Sequence, residues 1–170
     1  HLTALHAMKP DQLAEVIDLM VKAQINVMPL PATDLHLGAR NDAYNVRRAV
    51  TPIRKLRDAG VNICLGSNNI RNAFTPYGNG DLIQIAMLAV PVAHLGGADD
   101  LPTVLPMITT NTAKALNIKD YGIAVGNRAD LILLDTQRKA DVLIDIPERL
   151  MVIKNGRITV EVKKEVTIHR

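Results

Sequence analysis

Helical and strand patterns alternate along the first 66 residues, with only short connections between them. Apolar residues recur at helical spacing from Asp11, directly after Pro10, and a second amphipathic pattern runs over Asn45–Ala59. Each helical pattern is followed by a short apolar run, first Ile25–Leu30 and then Val61–Gly66. This alternation is typical of βαβ units, so the sequence predicts an α/β fold with a parallel sheet.

Each of these two predicted strands runs directly into a polar stretch. The stretches are Pro31–Tyr44 and Ser67–Gly80, and both are predicted to be loops. In parallel α/β folds, the loops at the carboxyl ends of the strands carry the chemistry. Candidate functional residues are therefore expected in these two segments.

The pattern changes from helical to strand-like near Gly122. Before it, the sequence predicts helices over Asp81–Leu95, Asp99–Ile108 and Asn111–Leu116. After it, the predicted strands are Ala129–Asp135, a hairpin over Met151–Val160 that turns on Asn155-Gly156, and a last strand at Val166–Ile168. We therefore divide the chain into an α/β part, residues 1–121, and a β-rich part, residues 122–170.

The charge distribution argues against a nucleic-acid-binding module, which is a third, weaker interpretation of the basic sequence. The 20 Lys and Arg residues are scattered and nearly balanced by 17 Asp and Glu, for a net charge of +3. With one Phe, three Tyr and no Trp, the chain offers few surfaces for base stacking. We expect no nucleic-acid partner, and strong salt-dependent binding to DNA or RNA would contradict this.

The apolar runs and the cysteine content indicate the expected cellular environment. No apolar run reaches the ~20 residues of a membrane-spanning helix, so no membrane partner is expected. The single cysteine, Cys64, excludes an internal disulfide and fits a reducing compartment, so we expect a cytoplasmic protein. The chain begins with His1 rather than Met, and we expect it to be part of a longer polypeptide.

Two blocks near the carboxyl end carry a resemblance to a known superfamily. Tyr121–Asp135 and the later Val152–Arg157 resemble the closing segment of the amidohydrolase superfamily. Upstream, His1, Leu35–Leu37 with Arg40, and Gly66–Gly80 resemble the cytosine deaminase group, which also includes the N-isopropylammelide amidohydrolases. The resemblance covers essentially the whole chain.

The resemblance implies a fold made of two pieces. Residues 1–121 would be the carboxyl-terminal part of a metal-bearing TIM barrel, about strands six to eight. Residues 122–170 would supply strands of a small β-sandwich. A complete barrel needs about 250 residues, so a chain of 170 cannot contain one.

The resemblance also implies an activity. It implies hydrolytic deamination of a nucleobase-like or s-triazine-like heterocycle, at a cyclic amidine, with one divalent metal, zinc or iron, that activates water. The small heterocyclic substrate and further copies of the same chain, in a homo-oligomer, are the implied partners. The family's His-x-His pair and its later His and Glu have no match here, so this chain alone lacks most metal ligands.

Two residues match functional positions of the family, and a third is a candidate by its place after strand seven. His1 matches a histidine that contacts the hydrolytic water and the substrate, so it is the candidate catalytic residue. Phe74 matches an aromatic residue of the substrate pocket, with packing on the barrel rim as the alternative. His36 follows strand seven, where it can bind substrate at the pocket mouth or hold the long loop by hydrogen bonds.

Asn68 departs from the family pattern. The family carries at this position an Asp that ligates the metal and accepts the proton of the bound water. A carboxamide is a weak ligand and no base, and the neighbouring Asn69 is equally neutral. The alternative function is therefore a non-catalytic pseudoenzyme, or a half-barrel subunit that needs a partner chain to cover its open strand edges.

We expect replacement of His1 in an active complete protein to lower turnover substantially and to leave the fold intact. The reason is that an imidazole can donate or accept a proton near neutral pH. Steady-state kinetics and circular dichroism check this, and unchanged turnover would remove His1 from the mechanism.

Overall fold

Two parallel strands, β1 (Asn26–Val27) and β2 (Asn62–Ile63), lie side by side in the computed structural model, which describes residues 2–169. Backbone hydrogen bonds extend the pairing beyond both strands. Cys64 N donates to Val27 O at 2.9 Å, and Gly66 N donates to Pro29 O at 3.2 Å. The predicted parallel pairing of the two apolar runs is confirmed.

The helices precede and follow these strands, and most of them are short. A 3₁₀ helix covers Thr3–Ala7 near the start of the described residues. The α-helices are α1 (Pro10–Lys22), α2 (Pro31–Leu37), α3 (Ile53–Asp58), α4 (Leu82–Val92), α5 (Leu101–Met107), α6 (Thr110–Ala115) and α7 (Asp141–Ile144). The predicted helices at α1, α4, α5 and α6 are confirmed within a few residues of their expected ends.

The apolar core lies between one face of the strand pair and the helices. Alternate residues of a strand point to opposite faces, and Ile63 and Leu65 point into this core with at most 1% of their surface exposed. The core side chains that join them come from β1 and from most of the helices: Leu13, Ile17, Val27, Ile53, Leu56, Ala86, Ala89, Val104, Met107 and Leu143. Burial of this apolar surface is the main force that holds the helices on the strands.

Strand residues that do not face the core form a network of side-chain hydrogen bonds. Asn62 Nδ2 donates to Asn26 Oδ1 at 2.7 Å and to the Asn111 carbonyl at 3.0 Å. Asn111 Nδ2 in turn donates to the Ile63 carbonyl at 3.0 Å. Helix α6 is thereby tied to β2 by side-chain amides.

The second sheet is antiparallel and lies in the carboxyl-terminal part of the chain. Its order is β3 (Leu131–Leu134), β4 (Arg149–Lys154) and β5 (Arg157–Glu161). The turn between β4 and β5 has positive φ at both Asn155 (49°) and Gly156 (73°), as a type I′ turn requires. The hairpin predicted from the Asn-Gly pair is confirmed.

Two predictions for the segment between β1 and β2 are wrong. Pro31–Leu37 is helical, although Pro31–Tyr44 is predicted to be a loop; its polar residues Thr33 and Asp34 are buried and not solvated. The helix predicted over Asn45–Ala59 is confined to α3, because Ala49 has φ 47° and Pro52 disfavours helical backbone in the residue before it.

Two further differences lie in the carboxyl-terminal part. Helix α7 is not predicted, since four residues are too few to show helical periodicity, yet Val142 and Leu143 are buried. The predicted strand Val166–Ile168 is absent from the described residues, and Val166 and Ile168 are 69% and 83% exposed. Within the described residues, this segment forms no backbone hydrogen bonds with a neighbouring strand, so it lacks the pairing that a strand requires.

No helix between residues 2 and 169 is both long enough and apolar enough to cross a membrane. Helix α1 has 13 residues, whereas a membrane-spanning helix needs about 20.

An ion-pair network links α3 to α5. Asp100, directly before α5, lies 3.2 Å from Arg54 Nη1 and 2.9 Å from Arg57 Nη1 through its Oδ1 atom. Hydrogen bonds from Arg54 and then Arg57 hold the pKa of the Asp100 carboxyl below its usual value. The ionised carboxylate is therefore the form that the fold favours.

We expect Asp100→Asn to lower the melting temperature at neutral pH. A depressed pKa in the folded state means that this stabilisation is present above the unfolded pKa, about 3.9, and is lost as the pH falls through the folded pKa. The difference in melting temperature between the variant and the wild type should therefore shrink below pH 4. Asp99→Asn is the matched control, because Asp99 is exposed and forms no ion pair within residues 2–169. A difference that persists at pH 2 would contradict the assignment.

Candidate functional site

The connections that follow β1 and β2 lie against each other at the carboxyl ends of the strands. The first contains α2, and the second is Ser67–Gly80, called the site loop below. The hydroxyl oxygens of Thr33 in α2 and Thr75 in the site loop are 2.7 Å apart, and both residues are buried. The Tyr77 hydroxyl donates to the Ala32 carbonyl at 3.0 Å. The strand ends thus carry one joined polar structure and not two separate loops.

Asn72 determines the shape of the site loop. Its Oδ1 atom accepts from the backbone N–H groups of Phe74 (3.0 Å) and Thr75 (3.1 Å), and its own N–H donates to the Thr75 carbonyl at 3.0 Å. An Asn side chain that bonds to the backbone in this way imitates a turn. The turn buries Thr75 against α2 and leaves Phe74 58% exposed.

His36, on α2, contacts the site loop directly. Its ring meets the Tyr77 ring edge-on, with centroids 5.6 Å apart and an interplanar angle of 84°. Arg40 Nη2 lies 2.8 Å from His36 Nε2, and Arg40 Nε donates to the His36 carbonyl at 2.8 Å. Because a guanidinium can only donate, Nε2 is the acceptor in this contact. The His36 ring is therefore held between Arg40 and Tyr77 of the site loop, and its role in substrate binding stays a prediction.

Asn68 begins the exposed part of the site loop. Its φ of 62° lies in the left-handed region, which Asn adopts more readily than most residues. Its side chain is exposed and forms no hydrogen bond with another residue in the range 2–169. The amide is thus not committed to a local structural contact.

A cavity of about 220 Å³ lies between the site loop and α4. Asn69, Thr75 and Tyr77 line it from the loop, and Gln84 and Leu88 line it from the helix. His36, Asn68 and Phe74 do not line this cavity. The three predicted site residues therefore lie at the same end of the strands but not around one closed pocket.

The donor set of the described residues does not fit a metal ion. Residues 2–169 contain no group of three or more His, Cys, Asp or Glu side chains that could hold one. Asn68, predicted to stand at a metal-ligand position, has a neutral carboxamide side chain. His1, the candidate catalytic residue, lies outside the described residues.

The sequence did not single out Asp34, which is a central polar residue of this region. Asp34 is 2% exposed, and its Oδ2 atom accepts from the Thr51 N–H and hydroxyl, each at 3.4 Å. Burial raises the pKa of the Asp34 carboxyl more than the hydrogen bonds from Thr51 lower it. In the sequence, a buried Asp in a polar stretch looks the same as an exposed one, so no local signal could have identified it.

A parallel α/β unit with a polar site at the carboxyl ends of its strands, followed by a separate antiparallel sheet, defines the class of this protein. Comparison with known families makes the class specific. The model of the amidohydrolase family matches residues 1–160, and the chain belongs to this family. The predicted relationship to amidohydrolases is confirmed, and these enzymes are generally metal-dependent.

Individual relatives agree with the family assignment. N-isopropylammelide isopropyl amidohydrolase of Pseudomonas sp. (strain ADP) is 43% identical over 111 residues, which are 65% of this chain and 28% of that protein. Pterin deaminase of Rhizobium rhizogenes (strain K84) is 32% identical over 160 residues, or 93% of this chain and 36% of that protein. The chain thus spans about a third of the length of these relatives.

A solved structure shows the same arrangement of elements. The crystal structure of 5-methylcytosine deaminase from Klebsiella pneumoniae, liganded with 5-fluorocytosine, superposes with a TM-score of 0.94 at 29% identity. The match covers 99% of this chain and 41% of that chain. The likeness to a cytosine deaminase is thereby confirmed for the fold.

We expect Thr33→Val and Thr75→Val to be coupled in their effect on stability. Each single change leaves the other hydroxyl buried without its partner and should lower the free energy of unfolding by about 1–3 kcal/mol. The double variant should lose less than the sum, with a coupling of about 1 kcal/mol. Urea unfolding of the wild type, the two single variants and the double variant measures these free energies.

The control for this double-mutant cycle combines Thr33→Val with Thr109→Val. The Thr109 hydroxyl donates to the Leu105 carbonyl, four residues earlier, and does not bond to Thr33. Those two changes should be additive. Additivity of Thr33→Val with Thr75→Val would show that the 2.7 Å contact contributes nothing to stability.

Proposed function

We propose that the complete protein containing this chain is a metal-dependent amidohydrolase that deaminates a nucleobase-like or s-triazine-like heterocycle. The reaction is hydrolysis of a C–N bond at a cyclic amidine. The observation that carries the proposal is the match of 99% of this chain to 5-methylcytosine deaminase at a TM-score of 0.94. The pterin deaminase and the N-isopropylammelide amidohydrolase support it, since their names also give nitrogen heterocycles as substrates.

The proposed architecture assigns each part of the chain to a part of the complete enzyme. Residues 1–121 supply the region of barrel strands six to eight, with β1 as strand seven and β2 as strand eight. Residues 122–170 supply strands of a β-sandwich. The sheet supports this assignment, because Ile132, Leu133 and Ile158 are 54%, 54% and 59% exposed, as expected of a sheet that packs on further strands.

The proposed roles of the site residues follow from their position at the strand ends. His1 contacts the hydrolytic water and the substrate, and an imidazole can transfer a proton there. Phe74, exposed at the turn of the site loop, packs against the flat heterocycle. His36 binds substrate at the rim or holds the site loop; its contacts with Tyr77 and Arg40 favour the second role.

The proposed cofactor is one divalent metal, zinc or iron. The described residues do not form a ligand set, so we propose that the ligands come from other parts of the complete protein. Asn68 occupies the family's metal position without a charge.

The proposed partners and location follow from the family relationship. We propose a small heterocyclic substrate, a homo-oligomer of the complete protein, and a cytoplasmic location.

Asn68 favours a second candidate function. Its neutral amide and the missing ligand cluster in residues 2–169 fit a pseudoenzyme, or a half-barrel subunit that depends on a partner chain. In both cases the protein would keep the family fold without its hydrolytic chemistry.

Metal content and product release in the complete protein separate these functions. We expect one zinc or iron per subunit by elemental analysis, and release of ammonia or an amine from cytosine, pterin or N-alkylated s-triazine probes. If the wild type binds no metal and Asn68→Asp restores binding, the pseudoenzyme is correct, because a carboxylate is the better ligand. Asn69→Asp is the matched control, since it adds the same charge one residue away and should not restore binding.

A further inference from the structure

We propose that Asp34 and Thr51 form a buried positioning pair that fixes the backbone next to His1, so that α2 holds every segment of the candidate site in place. This inference rests on the proposed function, in which His1 contacts substrate. Neither Asp34 nor Thr51 is among the site residues predicted from the sequence.

The pair forms a directed chain of hydrogen bonds. Leu2 N donates to Thr51 Oγ1 at 3.0 Å, and the Thr51 hydroxyl and N–H donate to Asp34 Oδ2, each at 3.4 Å. A backbone N–H can only donate, so the hydroxyl oxygen is the acceptor toward Leu2, and its proton is directed to the carboxylate. The order Leu2, Thr51, Asp34 is therefore fixed.

The chain of bonds joins segments that regular structure does not hold together. Leu2 and Thr51 are 49 positions apart in the sequence, and Thr51 and Asp34 are 17 apart. Leu2 precedes the 3₁₀ helix, and Thr51 follows the irregular residue Ala49. The Thr51 hydroxyl thus holds the backbone at Leu2, where, among the described residues, no backbone hydrogen bonds between strands do so.

Close packing shows that α2 and the Thr51 segment are pressed together. A Cβ atom on Gly38, directly after α2, would lie 2.6 Å from Ala49 Cβ and 2.7 Å from the Asp34 carbonyl oxygen. Only a residue without a Cβ fits there. Van der Waals contact therefore fixes the distance between the end of α2 and Ala49, which lies two residues before Thr51.

The same helix holds the remaining parts of the candidate site. Its first turn bonds to the site loop through Thr33–Thr75 and Ala32–Tyr77, and it carries His36 itself. The third connection, through Asp34 and Thr51, reaches the residue that follows His1. All three candidate segments consequently depend on one helical turn.

The pair acts through position and not through contact with substrate. Thr51 and Asp34 are 1% and 2% exposed, and each is engaged with protein groups. A displacement of about 1 Å in a group that contacts substrate can cost about 100-fold in rate. Loss of the pair should thus lower kcat with little effect on KM.

The test compares Thr51→Val with Thr51→Ser in the complete protein, with amide hydrogen exchange of the peptide that contains Leu2 as the readout independent of activity. Thr51→Val removes the acceptor and should speed exchange by about tenfold, since 1.4 kcal/mol of lost hydrogen bonding is a factor of ten. Thr51→Ser keeps the hydroxyl and should restore wild-type exchange.

Kinetics with 5-methylcytosine or the most active probe form the second readout. Thr51→Val should lower kcat by about 10- to 100-fold with KM within about threefold, and Thr51→Ser should recover it. Thr109→Val is the matched control, because it removes a hydroxyl–carbonyl bond elsewhere and should change neither exchange nor kcat. If Thr51→Val does not fold, Thr51→Ala, which also removes the acceptor for Leu2 N, is measured in the same way.

Unchanged amide exchange in Thr51→Val would show that the pair does not fix the backbone at Leu2. Faster exchange with unchanged kcat would show that fixing this backbone has no effect on turnover. A wild type that turns over no probe contradicts the proposed function instead, and the exchange measurement then still decides whether the pair holds the backbone at Leu2.

Discussion

Burial of one face of the β1–β2 pair is the interaction on which the rest of this structure depends. Ile63 and Leu65 are at most 1% exposed and contact side chains from several helices, so the strands and helices cannot be moved separately. Because the strands are parallel, this packing also brings both carboxyl ends to the same edge. The location of the candidate site is thus a consequence of the core.

Polar contacts then give that edge its detailed form. Helix α2 is too short to be stable by itself, and its first turn is held by buried threonines and Asp34. Buried polar groups of this kind are costly unless they are paired, so each contact specifies one arrangement of the connections. The precision of the site therefore comes from hydrogen bonds, whereas its location comes from apolar packing.

The family relationship and the donor set give different information about the chemistry. Amidohydrolases are generally metal-dependent, yet residues 2–169 bring together no ligand cluster, and Asn68 is neutral. The chain spans 28% to 41% of the length of the relatives described above. More than half of each relative therefore has no counterpart in this chain. The described residues show loops joined at the strand ends and an antiparallel sheet, and they show no metal centre.

The sequence by itself determined the features that repeat or follow local rules. Apolar periodicity located α1, continuous apolar stretches located α4 and both strands of the parallel pair, and Asn155-Gly156 located the hairpin. Each of these patterns is set by neighbours in the chain. Only the tertiary structure decided that Pro31–Leu37 is a helix and that Asp34 and Thr51 are buried partners. Asp34 bonds to Thr51, 17 positions away, and Thr51 bonds to Leu2, 49 positions away. The neighbouring sequence of a polar residue does not show whether water or a distant protein group will be its hydrogen-bond partner.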